Sequence, residues 1–185
     1  MSFGFRENAN DADWLHLVEG EQVRWSGRPS FITILPAMIV MALLFLIGIL
    51  GSLWARPIVV EQGWSPVFGY IPFVITFLGI AYGMLAYLHW LRILYVITDE
   101  EIYVKIGLIS RDVTQVPLSR VQNTSYSQSV IERFLAFGTI HIYTAGTHTE
   151  DIEFESVPRP QEVKGIVTTQ LSSHRVKNEP VNDGL

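Results

Sequence analysis

The sequence predicts an α+β membrane protein, in which a two-helix transmembrane hairpin is followed by a small antiparallel β-domain. Three observations predict this class. Two long runs without Asp, Glu, Lys or Arg occupy residues 31–54 and 67–91. After residue 92, apolar and polar residues alternate in short runs, as strands with one buried face require. Near the C-terminus, apolar residues recur at the spacing of an amphipathic helix.

The composition of the 185 residues excludes several classes of protein. Hydrophobic residues make up 49% of the chain and charged residues 17%, whereas a soluble domain typically has about 25% charged residues. The mean hydropathy of +0.28 is opposite to that of a disordered chain. The chain has no cysteine, which excludes a disulfide framework and a cysteine-ligated zinc site. A net charge of −5 provides no overall basic field for nucleic acid.

Each uncharged run is long enough to cross a bilayer, because a helix needs about 20 apolar residues to span the hydrocarbon core. A cleavable N-terminal signal peptide is not expected, since residues 1–30, which include several acids, precede the first run. Tryptophans bracket the runs as interfacial residues do, at Trp25, Trp54, Trp64 and Trp90. We therefore expect two transmembrane helices.

Small residues spaced by four occur in both runs. Gly48 and Ser52 form one such pair, and Gly79 and Gly83 form a GxxxG pair. Pairs of this kind let two membrane helices approach closely. They predict helix packing, within the hairpin or between copies of the chain.

The distribution of cations predicts the orientation. The connection at residues 55–66 has one cation, Arg56, and one acid, Glu61, whereas the flanks carry Arg24, Arg28, Arg92, Lys105 and Arg111. By the positive-inside rule, we expect a multi-pass protein of the cell membrane with both termini in the cytoplasm. The predicted segments are an N-terminal segment at 1–30 with a short strand that joins the later sheet, transmembrane helices at 31–54 and 67–91, an extracytoplasmic loop at 55–66, a β-domain at 92–172 and a polar tail at 173–185.

The β-domain is predicted from alternation and turn residues. Inward-facing residues are expected at Ile102, Val104, Ile106, Ile140, Ile142, Ile152 and Phe154. Pro117 indicates an edge position or a bulge. A strand around Val23–Trp25, before the first span, is a candidate to pair with the sheet that follows the second span.

Two helices are predicted within this domain. Ser129 and Glu132 have the spacing of a capping box, and the helix that they begin is expected to end at Gly138 with a left-handed cap. A second helix of about three turns is expected from Pro160. Its apolar stripe consists of Val163, Ile166, Val167 and Leu171.

Several short motifs together resemble a known family. They are EGEQVRWSGRPS at 19–30, Thr98-Asp99-Glu100, Gly107, Arg111, VPLSRVQ at 116–122, Gln128-Ser129, ERFL at 132–135, Gly138-Thr139 and Thr144-Ala145-Gly146. In order and spacing, residues 15–172 resemble the bacterial pleckstrin-homology-like (PH-like) membrane proteins of the YdbS-like family. The resemblance implies a strongly bent β-sandwich or partly open barrel of about seven strands, capped by a C-terminal helix. The resemblance does not imply any known enzymatic activity. The acidic strand at 150–155 departs from the family pattern.

The sequence contains no set of residues with the spacing of a known catalytic site. The five histidines show no metal-binding spacing. His148 is interpreted as part of a polar turn and His89 as an interfacial anchor. The chain has no GxSxG, no phosphate-binding glycine loop and no dinucleotide fingerprint. We therefore expect no enzyme activity, no cofactor and no metal.

The favoured hypothesis is a membrane-anchored binding or scaffolding module at the cytoplasmic membrane face. Its expected partners are the lipid bilayer and a protein or a second copy of the chain, without nucleic acid. Arg111, Arg120 and Arg133 are candidate contacts for a headgroup or a partner. Phosphoinositide binding is not supported, because carboxylates outnumber cations in residues 93–172. The alternatives are a structural or assembly subunit whose hairpin associates with other membrane proteins, and an unrecognised membrane enzyme.

Overall fold

The computed structural model describes residue 17 and residues 20–61, 66–107, 112–145 and 152–178. The chain forms two compact units. One, here called the β-unit, comprises residues 1–30 and 92–185. The other, here called the helical hairpin, comprises residues 31–91. The hairpin is therefore inserted between two parts of the chain that fold together.

The helical hairpin consists of two long apolar helices, each preceded by a 3₁₀ turn. The first turn, Phe31–Ile34, leads into α1, Leu35–Glu61, and the second, Pro66–Tyr70, leads into α2, Ile71–Leu91. Their segments at 31–54 and 67–91 are long and apolar enough to cross a membrane, and few of their residues are buried. Residues 55–61, which we assigned to the loop, are helical. Pro57 does not end the helix, because a proline removes one backbone hydrogen bond and an apolar helix tolerates that loss.

The β-unit contains two antiparallel sheets among its described residues. The first sheet has the order β1 (Val23–Gly27), β2 (Ile93–Thr98), β3 (Glu101–Ile106), β4 (Asp112–Pro117). A 3₁₀ turn, Leu118–Arg120, leads to the second sheet of β5 (Val121–Ser127), β6 (Phe137–Thr144) and β7 (Ile152–Pro158). The seven strands match the predicted number, and the two sheets form no closed barrel. Pro117 ends the edge strand β4, as its missing N–H group favours.

Strand β1 joins the sheet across the whole hairpin, as the sequence predicted. It pairs antiparallel with β2, with Val23 opposite Thr98 and Gly27 opposite Tyr95. The turn after β2 anchors this pairing. The Asp99 carboxylate accepts a hydrogen bond from the Gln22 backbone N–H at 2.8 Å and one from the Arg24 guanidinium at 3.2 Å.

The core of the β-unit lies between the sheets and the final helix, α4 (Pro160–Asn178). Helix α4 is longer than the predicted three turns, but it begins at Pro160 as expected and buries Val163 and Val167. Phe154 is fully buried and stacks on Tyr95, with ring centroids 4.5 Å apart. The Tyr95 hydroxyl accepts a hydrogen bond from the Glu155 backbone N–H at 3.0 Å, which links the two sheets. Burial raises the pKa of Tyr95 to about 12.

The predicted alternation in β3 holds only in part. Ile102 and Val104 face the core, but Ile106 is exposed at the end of the strand. Tyr103, expected on a solvated face, is buried with Val23 and Val96 in a second, smaller cluster. Leu17, from the segment before β1, packs on this cluster. The expectation of one dry and one wet sheet face is therefore wrong here, because the N-terminal segment covers part of the outer face.

The short helix α3, Val130–Phe134, has the predicted capping box. The Glu132 N–H donates to the Ser129 hydroxyl at 3.3 Å, and the Glu132 carboxylate accepts from the Ser129 N–H at 2.6 Å. The hydrogen bond from the Ser129 backbone N–H to the Glu132 carboxylate lowers the pKa of Glu132. The predicted end at Gly138 is wrong. The left-handed residue is Ala136, with φ of 55°, and Gly138 lies in β6, where a Cβ would approach the Ser127 carbonyl oxygen to 2.6 Å.

Candidate functional site

A groove between the edge strand β5 and helix α4 is the candidate binding site of the β-unit. It encloses about 450 Å³. We call it the β5–α4 groove, and its lining residues are Gln122, Asn123 and Thr124 on β5 and Lys164, Thr168, Leu171, Ser172 and Arg175 on α4. Strand and helix therefore form opposite walls of one cleft.

The strand wall is built from an edge of the second sheet. Strand β5 pairs only with β6 in the sheet order of the described strands. Its register shifts between Val121 and Asn123, so the strand bulges where it lines the groove. Edge strands present backbone N–H and C=O groups that can pair with an added strand, and bulges alter how much of that edge is available. Within this wall the Thr124 N–H already donates to the Asn123 side-chain oxygen at 2.8 Å, so an extended peptide segment would pair with the remaining backbone groups of the edge.

The helix wall results from the amphipathic pattern of α4. Val163 and Val167 are buried in the core, so the neighbouring stripe from Lys164 to Arg175 borders the groove. The Lys164 ammonium lies 5.6 Å from the centre of the Tyr126 ring. The lining includes two cations and no carboxylate, and this charge favours an acidic or polar ligand.

A second cavity, of about 360 Å³, lies at the turn between β2 and β3. Its titratable side chains lie close to one another. Arg24 contacts Asp99 at 3.2 Å, and His174 lies 3.3 Å from Glu100. These pairs join β1 and α4 to the turn, so we assign this cavity a role in holding the fold together.

The outer face of the second sheet carries a serine, a histidine and a glutamate in line. The Ser127 hydroxyl lies 3.1 Å from Nε2 of His141, and Nδ1 of His141 lies 3.0 Å from the Glu153 carboxylate. The order resembles that of a nucleophile, a base and an orienting acid. The residues occupy three neighbouring strands, where side chains on one face meet as cross-strand pairs. Ser127 and Glu153 are substantially exposed, and none of the three side chains lines the β5–α4 groove or the cavity at the β2–β3 turn. Sequence reasoning missed this contact, because it depends on the register of three strands.

The predicted arginine contacts are not brought together. Arg120 ends the 3₁₀ turn before β5, whereas Arg133 lies in α3 after β5. The seven residues of β5 separate them, about 20 Å at the usual rise of a strand. Arg111 lies outside the described residues. Among the described residues, neither Arg120 nor Arg133 lines the β5–α4 groove. Sequence reasoning missed that groove, because its two walls, β5 and α4, are separated along the chain by α3, β6 and β7.

The glycines that were predicted to pack helices make their contacts within the helical hairpin. Gly79 and Gly83 are buried, and a Cβ on either would meet α1. A Cβ on Gly79 would lie 2.7 Å from Leu44 Cβ, and a Cβ on Gly83 would lie 2.8 Å from Met41 Cγ. A Cβ on Gly48 would approach the Pro72 carbonyl oxygen to 2.8 Å. The Ser52 hydroxyl donates to the Ile49 carbonyl of its own helix at 2.7 Å. The glycine surfaces thus pack α1 against α2 of the same chain.

Within the part of the chain that the structure describes, no group of histidine and acidic side chains is placed to hold a metal ion. In a comparison with known protein families, residues 30–171 match the family model described as bacterial PH domain. No curated protein and no solved structure matches the chain. The matched range includes β2 to β7 and most of α4, which form the sandwich and its capping helix. The chain therefore belongs to the bacterial PH domain family.

Proposed function

We propose that this protein is a membrane-anchored binding module of the bacterial PH domain family. The helical hairpin crosses the cell membrane twice, and the β-unit lies at the cytoplasmic face, where its β5–α4 groove binds an extended protein segment. The likeness to the YdbS-like membrane proteins supports the same arrangement. No chemical step is assigned to the protein.

The observation that carries the proposal is the exposed apolar surface of the hairpin. Large side chains along both helices are open to the surroundings, including Leu53, Phe77 and Leu85, each at least 66% exposed. The core helix of a soluble domain would bury such side chains, because burial in an apolar environment is favourable. A bilayer provides that environment along the whole length of both helices.

The β5–α4 groove supports the binding role. Its strand wall offers backbone hydrogen-bonding groups, and its helix wall offers Lys164 and Arg175 with several polar side chains. Together they favour an extended segment that carries acidic side chains, held by strand addition. This chemistry differs from that of a phosphoinositide site, in which several cations converge on one headgroup.

The structural or assembly role has less support. In that role, the hairpin would use small residues to bind other membrane helices. Gly48, Gly79 and Gly83 instead face side chains or backbone of the same hairpin. The surfaces with the strongest packing signal are thereby occupied within one chain.

Single cysteines test the anchoring, since the natural chain contains none. On intact cells, Gly63→Cys should react with an impermeant thiol reagent, and Thr169→Cys, on the exposed surface of α4, should react only after lysis. The reverse pattern would overturn the orientation. Equal labelling of both sites on intact cells would contradict the two-span arrangement.

A photo-crosslinking amino acid tests the groove. Placed at Asn123 on the strand wall, it should form a cross-link to a discrete partner in growing cells. The control is Thr169, which is exposed on α4 but does not line the groove. Thr168→Arg in the Asn123 background should remove the cross-link by filling the groove. A product that persists in that variant, or that forms equally from Thr169, would argue against this site.

A further inference from the structure

Helix α3 exposes an apolar surface that has no partner within the described part of the β-unit. Val130 is 88% exposed, Ile131 71%, Phe134 91% and Leu135 39%. We call these four side chains the α3 apolar surface. No residue of the helix is buried. The backbone beneath is nevertheless fixed, by the capping box at Ser129 and by a 2.7 Å hydrogen bond from the Gln128 side chain to the Phe137 carbonyl.

The α3 apolar surface lies at the end of the β-unit where both apolar segments join it. Ser30, the last residue before the first apolar segment, donates its N–H to the Ser156 carbonyl of β7 at 2.6 Å. Two residues further, Pro158 pairs with Phe137, directly after α3. The Arg159 N–H donates to the Ala136 carbonyl at 2.9 Å. At about 3.3 Å per strand residue and 4.8 Å between strands, this path from Ser30 to α3 is roughly 20 Å at most.

Strand β2 and helix α4 each run from this end of the β-unit to the opposite end. Arg92, the first residue after the second apolar segment, accepts a hydrogen bond from the Gly107 N–H beside the start of β2. Strand β2 then runs away from this junction to the turn at Asp99 and Glu100. The C-terminal part of α4 meets that turn through His174 and Glu100. Pro160, at the other end of α4, lies next to the Gln128–Gly138 contact below α3.

The charged side chains differ between these two ends of the β-unit. The end with the junctions carries the cations Arg28, Arg92, Lys105, Arg133 and Arg159. Its described acids are Glu162, which pairs with Arg159, Glu132, which caps α3, and Asp112. The opposite end carries Glu21, Asp99, Glu100 and Glu101 around the β2–β3 turn, with two cations, Arg24, which pairs with Asp99, and Arg175, which follows His174 in α4. The cationic end suits an anionic surface.

We propose that the α3 apolar surface inserts into the interfacial layer of the same bilayer that the hairpin crosses. This inference rests on the proposed membrane anchoring. An interfacial segment of this type combines aromatic and aliphatic side chains with nearby cations, here with Arg133 in the same helical turn. A protein interface takes about 20 to 30 residues on each side, many more than this single turn offers. The insertion would hold the β-unit at a fixed height and orientation on the membrane.

Fluorescence quenching of the full chain in lipid vesicles tests the proposal. Three single-cysteine variants, Phe134→Cys, Phe77→Cys and Val176→Cys, receive an environment-sensitive fluorophore. They are reconstituted into vesicles of phosphatidylcholine and phosphatidylglycerol at 3:1, with or without nitroxide-labelled lipid. Val176 is the matched control, because it is an exposed apolar residue in the last turns of α4.

We expect nitroxide lipid to quench the Phe134 label at least twofold more than the Val176 label, with blue-shifted emission. The Phe77 label, on the exposed surface of α2, should be quenched by nitroxides deep in the acyl chains. If the Phe77 label is not quenched, the membrane anchoring itself fails. If the Phe77 label is quenched but the Phe134 label matches Val176, the insertion of α3 is overturned and the anchoring stands.

Emission that is blue-shifted but not quenched would mean that protein covers α3. Dependence of that shift on the protein-to-lipid ratio would identify a second copy as the occupant. Either result would overturn the lipid assignment. Ile131→Cys repeats the measurement one helical turn away from Phe134, so that a local disturbance at one site does not decide the outcome.

Discussion

At the scale of single residues, the clearest pH dependence belongs to Tyr95. Burial holds its pKa at about 12, above the ordinary value of 10.0, so folding favours the neutral phenol. The corresponding stability is fully present below pH 10 and is lost as the pH rises through 12. We expect the midpoint of urea unfolding, followed by near-ultraviolet circular dichroism, to be flat from pH 7 to 10 and to fall above it.

Tyr95→Phe isolates this contribution. The variant should lose about 1–2 kcal/mol at pH 7, because the partly buried Glu155 N–H loses its acceptor. Its alkaline loss should be shallower than that of the natural chain, although Tyr103, whose pKa burial also raises, retains its own share. An unchanged alkaline slope would show that Tyr95 does not titrate with unfolding.

The contact of Ser127, His141 and Glu153 leads to a prediction about chemistry. A serine nucleophile needs prearranged oxyanion donors and a site that excludes water, whereas these side chains lie on the outer face of a sheet. We expect a fluorophosphonate probe to leave Ser127 unmodified, as measured by mass spectrometry of the full chain. Labelling of Ser127 that His141→Ala abolishes would contradict this and would assign the protein a hydrolytic activity.

Sequence reasoning at this scale succeeded where the cause is local. The capping box at Ser129 and the helix start at Pro160 each depend on a few adjacent residues. The left-handed residue Ala136 was not predictable in the same way. Alanine has no preference for that conformation, which here accompanies the hydrogen bond from Arg159, a residue more than 20 positions away.

At the scale of elements, the hairpin depends on close contact between α1 and α2. Gly79→Leu should weaken it by about 1–3 kcal/mol, because a side chain at this position meets Leu44 and overpacking of this kind is costly. The measurement is the thermal unfolding midpoint of the full chain in detergent. Gly69→Leu is the matched control, since no atom lies within 4 Å of a Cβ at Gly69. Equal destabilisation by both variants would exclude packing as the cause.

The elements themselves were largely predictable, and their environments were less so. The two apolar segments, the strand before them and the final helix follow from hydropathy and periodicity. The first span was bounded at Trp54 by the absence of charge, whereas the helical backbone of α1 continues to Glu61. Burial of Tyr103 depends on Leu17 and Val23. These two residues precede the hairpin in the sequence, whereas Tyr103 follows it. The groove likewise requires β5 and α4 to be placed side by side, which no local pattern specifies.

At the scale of the whole molecule, the two units should be separable. Gly27 and Tyr95 are paired, so a short glycine-serine turn can replace residues 31–91 and close the β-unit. We expect this deletion variant to be soluble and monomeric by light scattering and to unfold cooperatively. The comparison is a chain that begins at residue 92. It lacks β1, exposes Val96 and Tyr103, and should aggregate. A soluble, cooperatively folded product without β1 would show that the strand before the hairpin is dispensable.

The insertion of the hairpin between β1 and β2 has a consequence for biogenesis. A ribosome makes about 5–20 residues per second, so β1 waits several seconds without a partner while the next 65 residues are synthesised. In the proposed arrangement, β1 meets β2 only if both apolar segments have entered the bilayer. A chain that inserted only one would leave Val23 and its strand on the wrong side, with the first sheet unfinished. Completion of that sheet therefore reports correct insertion of both segments.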